Sequence, residues 1–143
     1  MYSTAHVAAG LIIGKLTGDY ATAIIGATAA DFDHLIPFVK SKVLFSFKKM
    51  WHATTKSEDS SRNHLHSIYA WVLISAIIMV FNFRTGWIFA AAYLSHFLLD
   101  LLDDSDFFPF FPSKKVNIKG FIGYFSRKEF VFTVALVLVY LFI

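Results

Sequence analysis

The residues of this chain best suited to chemistry fall in four clusters: His6; Asp31-Phe32-Asp33-His34; Arg62-Asn63-His64-Leu65-His66-Ser67; and Ser95-His96 with Asp100. Each cluster sits at one end of an apolar stretch. Imidazoles and carboxylates are expensive in or beside hydrocarbon, so several of them at one depth point to a site rather than to scatter. The chemistry these types share is divalent-cation binding. The chain has no cysteine, so a metal must be held by imidazole and carboxylate. Zinc is the first expectation, with manganese or iron as alternatives, as one or more ions.

His96 and Asp100 stand four apart, so on a helix both leave one face and can reach the same ion. Asp31 and His34 are three apart and also share a face. Asp33 points elsewhere unless the helix ends near Ala30, which nearby Pro37 permits. Apolar residues 27–30 and 35–39 flank these two carboxylates, an arrangement that is costly unless a cation compensates it. His64 and His66 are two apart and diverge on a continuous helix, so one of them is expected as a ligand. His66, next to the apolar run, is preferred; His64 is left as a proton carrier or an interfacial side chain. Arg62 either pins an anionic oxygen such as phosphate or meets lipid headgroups. Asp31 or Asp33, if partly free of the metal, would orient a water or take its proton. His6 joins the set because it opens the first apolar stretch at the same end as the others.

Positioning these groups falls to helices. Over 143 residues the chain is 57% hydrophobic and only 16% charged, which suits a single domain, residues 1–143, in a lipid solvent. Five apolar stretches, near residues 4–16, 20–37, 67–83, 86–102 and 129–143, are expected to be helical. A crossing helix needs about 17 to 25 residues, so the third and fourth are just long enough, while the first and last are short. Gly10 with Gly14, and Gly26 with Ala30, make small-residue steps that let helices approach closely. Residues 1–6 carry no basic leader, so the first stretch is expected to be retained.

If all five stretches cross, Lys15 and Arg84 fall on one side and the other eleven of the 13 Lys and Arg residues on the opposite side. The excess of positive charge places the N-terminus and both long loops in the cytoplasm. Between residues 39 and 52, Val39, Val43, Phe47, Met50 and Trp51 recur at helical spacing opposite Lys40, Lys42, Lys48 and Lys49, the pattern of a helix lying in the headgroup layer. His52 belongs to that helix and is assigned no catalytic part. Residues 54–61 are polar and expected to be mobile, and residues 107–112 are expected to form an aromatic turn.

At Ala29-Ala30-Asp31-Phe32-Asp33-His34, at residues 62–67 and at Ala92-Tyr93-Leu94-Ser95-His96-Phe97-Leu98-Leu99-Asp100, the chain resembles the LexA-binding, inner membrane-associated hydrolases, also called membrane-bound metal-dependent hydrolases. The usual forms there are a Pro-Asp-x-Asp-His helix end, a His-Arg-Gly-x-Thr-His-Ser start to the next helix, and a Ser-His-x-x-x-Asp helix. The likeness runs in order from His6 to Pro112. Here Ala30 stands for the proline, Ser61 for the first histidine of the second motif, Asn63 for the glycine and Leu65 for the threonine, which leaves His64 as an alternative to His66.

The expectation is therefore an all-α protein: a polytopic membrane bundle of about five apolar helices with an interfacial amphipathic helix. Its resemblance implies a metal-dependent hydrolase of the inner membrane; the loop charges put the site at the cytoplasmic face, and its depth beside the basic surface helix makes an ester or phosphoester of a lipid the expected substrate. The expected metal ligands are drawn from His6, Asp31, Asp33, His34, His66, His96 and Asp100, and the catalytic groups from Asp31, Asp33, Arg62 and His64. Membrane lipids are the expected partners; no motif marks nucleic acid or a protein partner. The rival readings are a membrane adaptor with a structural metal and an ion-handling transporter. Against the transporter, the third stretch offers mainly Ser75 before Asn82 and the fifth only Thr133 to line a path.

Overall fold

The computed structural model describes residues 3–34, 64–123 and 125–143, and in them the apolar stretches are helices. They are α1 (Ser3–Thr17), α2 (Tyr20–Thr28) with a 3-10 turn continuing it (Ala29–His34), α3 (Ile68–Phe81), α4 (Phe83–Asp100) and α5 (Arg127–Phe142). Side chains written into the sequence set their ends. Gly18, at φ 76°, takes the left-handed conformation that closes α1, and Asp19 then accepts the Thr22 amide at 3.0 Å to open α2. Ser67 accepts the Ala70 amide at 3.2 Å at the start of α3. Ser126 and Glu129 open α5: the Glu129 amide donates to Ser126 at 3.2 Å, and the Glu129 carboxylate accepts the Phe125 amide at 2.6 Å.

Helix α4 packs against α1, α2 and α3, and α1 in turn against α2 and α5. The α2–α4 seam is made of small side chains, with Ala23, Ala27, Ile88 and Ala92 buried together. A Cβ added at Gly26 would lie 2.8 Å from the Phe89 carbonyl oxygen and 2.9 Å from Ala92 Cβ. Backbone cannot yield as a flexible side chain can, so Gly26→Val is expected to cost about 1–3 kcal/mol of stability or more by overpacking. A lowered thermal unfolding midpoint would register it. An unchanged midpoint would mean that α2 and α4 do not meet this closely.

After α4 the chain folds back on itself. Phe107 and Ile118 exchange backbone hydrogen bonds at 3.2 and 2.9 Å, and Gly120 and Phe121 donate to the carbonyls of Asp103 and Leu102. Phe107 is buried among Tyr93, Phe97 and Ala30. The Pro109 carbonyl accepts the Ile68 amide at 2.8 Å, which ties the start of α3 to this loop.

The all-α expectation stands, but the polytopic membrane bundle does not. Among the described residues no helix is both long and apolar enough to cross a membrane. The stretch near residues 67–83 is cut at Asn82, whose backbone is extended and whose side chain accepts the Thr85 amide at 3.0 Å, ending α3 and starting α4. Helix α3 is left with 14 residues, roughly 21 Å against a hydrocarbon core of about 30 Å. Helix α4 has 18 residues but carries Arg84, His96 and Asp100 within them. Helix α2 leaves the α-helical path after 9 residues. The loop-charge orientation presupposed five crossings and loses its basis with them. The expected interfacial helix over residues 39–52, the polar run 54–61 and Arg62 lie outside the described residues.

Large apolar side chains nevertheless face outward: Val72, Leu73, Ile77, Val80 and Phe81 on α3, and Phe130, Val131, Leu138, Leu141 and Phe142 on α5. Contiguous apolar exposure of this kind marks a surface for lipid or for another protein.

Candidate metal centre

Four chain segments deliver imidazoles and carboxylates to one buried spot. Helix α1 brings His6 from its first turns, the 3-10 turn brings Asp31, Asp33 and His34, the start of α3 brings His66, and the last turns of α4 bring His96 and Asp100. His6, His66, His96 and Asp100 are each at most 1% exposed, and Asp33 is also buried.

The tautomers follow from the outer contacts. His96 Nδ1 lies 2.8 Å from the Ala27 carbonyl oxygen, which can only accept, so Nδ1 donates and Nε2 turns its lone pair inward. His66 Nδ1 lies 3.3 Å from Asp33 Oδ2, so here too Nδ1 donates and Nε2 points inward. The two Nε2 atoms are 3.3 Å apart. Asp100 Oδ2 lies 3.5 Å from His96 Nε2 and 3.6 Å from His66 Nε2. Three acceptor atoms thus form a triangle out of reach of solvent. Its edges of 3.3–3.6 Å are close to those a tetrahedral zinc site would need, where bonds of about 2.0–2.1 Å set ligand atoms roughly 3.3–3.4 Å apart.

His6 stacks on His96, ring centroids 3.7 Å apart and planes 13° from parallel. Its Nε2 is 3.6 Å from Asp100 Oδ1, on the other side of that carboxylate, and neither ring nitrogen has a hydrogen-bond partner. A fully buried imidazole in that condition is costly unless something else engages it. Burial holds the His6 pKa down at about 4, with His96 lowering it further against the opposing pull of Asp100. Burial likewise lowers that of His66, in spite of Asp33. At Asp100 burial would favour the neutral acid, but His96 and His6 hold the carboxyl well below the usual range. His96 moves the other way: burial works against its charged form, yet Asp100 raises it above the ordinary value. A proton on His96 relieves the triangle in metal-free protein, and a metal ion would displace that proton.

Asp31 and His34 stand on the half-exposed side of the cluster. Asp31 Oδ1 is 3.9 Å from His96 Nε2, its Oδ2 is buried without a hydrogen-bond partner, and the His34 ring is 5.4 Å from that of His66. Asp33 is turned away from the triangle. Its Oδ2 accepts the Leu65 amide at 2.8 Å and the His66 amide at 3.3 Å as well as His66 Nδ1. It therefore holds both the ring and the backbone of His66. Outer partners of metal-binding histidines are worth about 10–100-fold in metal affinity, so Asp33→Ala is expected to weaken zinc binding by about that factor with the helices intact. Competition with a chromophoric chelator measures it, and unchanged affinity would remove Asp33 from this role.

His64 is not brought to the cluster. It is exposed, its ring meets the edge of Phe111 at 4.9 Å, and its carbonyl accepts the Ser67 hydroxyl. Arg62 lies outside the described residues. Asp103, one turn past Asp100, is buried in the loop with its Oδ1 accepting the Ser105 amide. Sequence reasoning missed Tyr93, whose hydroxyl donates to the Leu65 carbonyl beside His66. Its place three residues before His96, on the same helical face, is the signal that could have found it.

The whole chain, residues 1–143, matches the model of a family described as YdjM inner membrane protein. No curated protein and no solved structure matches it.

Proposed function

Since the chain belongs to the YdjM inner membrane protein family, we propose that the buried imidazole–carboxylate cluster is the metal centre of a hydrolase that cleaves an ester or phosphoester of a membrane lipid. The observation that carries this reading is the triangle of His66 Nε2, His96 Nε2 and Asp100 Oδ2, three inward acceptors 3.3–3.6 Å apart. A divalent ion, zinc first, would polarise the scissile ester and make a water acidic enough to react near neutral pH. His66, His96 and Asp100 would hold the ion, while His6 stacks on His96 with its Nε2 3.6 Å from Asp100 Oδ1. Asp33 and the Ala27 carbonyl fix the two ring orientations. Asp31, half-exposed with an oxygen free of hydrogen bonds, takes the proton of the attacking water and returns it to the departing alcohol. One water is consumed, and an acid and an alcohol are released.

The outward apolar faces of α3 and α5 are the lipid-contacting surfaces in this reading. Helix α5 opens with Arg127 and Lys128, and its first turns, at Ser126 and Glu129, line a cavity with Thr4 at the start of α1, the end at which His6 lies. Basic groups at that end suit anionic lipid headgroups. The rival is an adaptor in which a metal only staples helix ends. A structural site is closed on all sides, whereas a catalytic one keeps a position open; the half-exposed Asp31 and His34 favour the second. Metal analysis of purified protein, wild type beside His96→Ala and Asp100→Ala, followed by a screen of lipid and phosphoester substrates, tests the proposal. Metal and turnover lost together support the hydrolase. Bound metal with intact folding and no turnover on any substrate supports the staple.

A further inference from the structure

We propose that the cluster binds two cations side by side, and that its substrate is for this reason a phosphoester rather than a carboxylic ester. The proposal rests on the hydrolase reading above and narrows it. The donors are too many for one ion, since zinc takes four ligands and six residues with suitable atoms converge here. They divide into two sets of three: His6, His96 and Asp100, all buried, and Asp31, His34 and His66, of which only His66 is fully buried. Within each set, one ligand atom from every residue lies within 4.8 Å of the others.

The triangle of acceptors is where the two sets meet, with His96 Nε2 3.3 Å from His66 Nε2 and 3.9 Å from Asp31 Oδ1. Asp100 is addressed from both of its oxygens. Oδ1 faces His6 at 3.6 Å, while Oδ2 faces His66 and His96 at 3.6 and 3.5 Å. With Oδ1 toward His6 of the first set and Oδ2 toward His66 of the second, this carboxylate is placed to bridge two ions. An independent observation comes from His6, which is 0% exposed with both ring nitrogens lacking hydrogen-bond partners. A lone ion on the His66, His96 and Asp100 face would already have its imidazoles, and His6 on the far side of Asp100 would have no role.

Two adjacent cations fit one reaction class best. Paired ions stabilise both the attacking and the leaving oxygen of an in-line displacement at phosphorus. The water oxygen bonds to phosphorus, the phosphorus–oxygen bond to the alcohol breaks, and the proton lost by the water goes by way of Asp31 to the departing alcohol oxygen. An alcohol and a phosphate product result, with no other reactant. The two positions are unequal. The ion among His6, His96 and Asp100 is enclosed and slow to leave, and its neighbour beside Asp31 and His34 exchanges with solvent.

Metal-stripped full-length protein, reloaded with zinc, desalted and measured by elemental analysis, should carry two ions per chain. His34→Gln, on the half-exposed side, should keep one, and His6→Gln should lose the enclosed one. Circular dichroism shows whether each variant keeps its helices. Loaded with manganese instead, wild type should give the electron paramagnetic resonance spectrum of a spin-coupled pair, and either variant that of an isolated ion. Hydrolysis of bis-p-nitrophenyl phosphate should appear only with the second equivalent of metal and exceed that of p-nitrophenyl acetate at least tenfold. One ion per chain with turnover retained, or activity on the carboxylic ester alone, overturns this proposal and leaves the hydrolase reading standing. No metal bound at all overturns both.

Discussion

Replacing His96 by alanine is expected to leave the protein without bound metal and without hydrolytic turnover. His96 is the residue on which the cluster turns. Its Nε2 is within 3.3–3.9 Å of His66, Asp100 and Asp31, and its ring carries the stacked His6. Loss of a partner outside the ligand set already costs metal affinity about 10–100-fold, so loss of a central ligand should exceed about 100-fold, or more than about 2.7 kcal/mol. The substitution also opens a cavity beside His6, and destabilisation must be separated from metal loss. Asp100→Asn does this, because it keeps the volume and removes the charge. Both variants should lose zinc on desalting while their circular dichroism remains helical. If His96→Ala binds zinc as tightly as wild type, the triangle is not a metal site.

The second large effect is a pH dependence of stability in metal-free protein. Burial holds His6 at about 4 in the fold against 6.5 for the ordinary side chain. Between those two values the unfolded chain binds the proton and the folded chain does not, so stability rises with pH. The contribution of His6 is complete above pH 6.5 and is lost as the pH falls toward 4, by about 3 kcal/mol in all. His96 opposes it, since a pKa raised by Asp100 gives stability that is full at low pH and fades as the pH rises through the folded value. Comparing wild type with His6→Asn isolates the His6 share. Between pH 7 and pH 4 the wild type should lose about 3 kcal/mol more than the variant in denaturant unfolding. Parallel losses would mean that His6 is not buried as a neutral ring.

Both effects arise from groups that are conspicuous in the sequence, because polar side chains at the ends of apolar runs stand out whatever their surroundings. His96 and Asp100 at four-residue spacing, Asp31 and His34 at three, and His66 at the start of a helix needed only helical geometry to be placed on shared faces. The helices were equally legible. Apolar runs near residues 4–16, 67–83, 86–102 and 129–143 match α1, α3, α4 and α5 closely, and Ser67 and Ser126 stand where helix caps belong.

Helix length was misjudged because an apolar run shows where a helix is favoured and not where it stops. Asn82 caps two helices inside one hydrophobic tract, a competition between its side chain and the backbone that hydropathy does not register. It leaves α3 with 14 residues, short of the crossing expected over residues 67–83. The tract around residues 20–37 likewise tightens into a 3-10 turn at Ala29, and this rotates Asp31 and Asp33 to different tasks.

The sequence by itself determined the helical class, the residue types and their grouping at helix ends, since these follow from local periodicity and from the cost of polar groups among apolar ones. Only the tertiary structure decided that His6 stacks on His96, that Asp33 serves His66 and the backbone, that Tyr93 braces Leu65, and that His64 stays outside. Those outcomes depend on packing between segments up to 90 residues apart, as His6 and His96 are. They rest on the close approach that Gly26 allows between α2 and α4, whose small-residue step was legible while its partner helix was not, and on the loop that ties Pro109 to Ile68, a contact that no local pattern in the chain encodes.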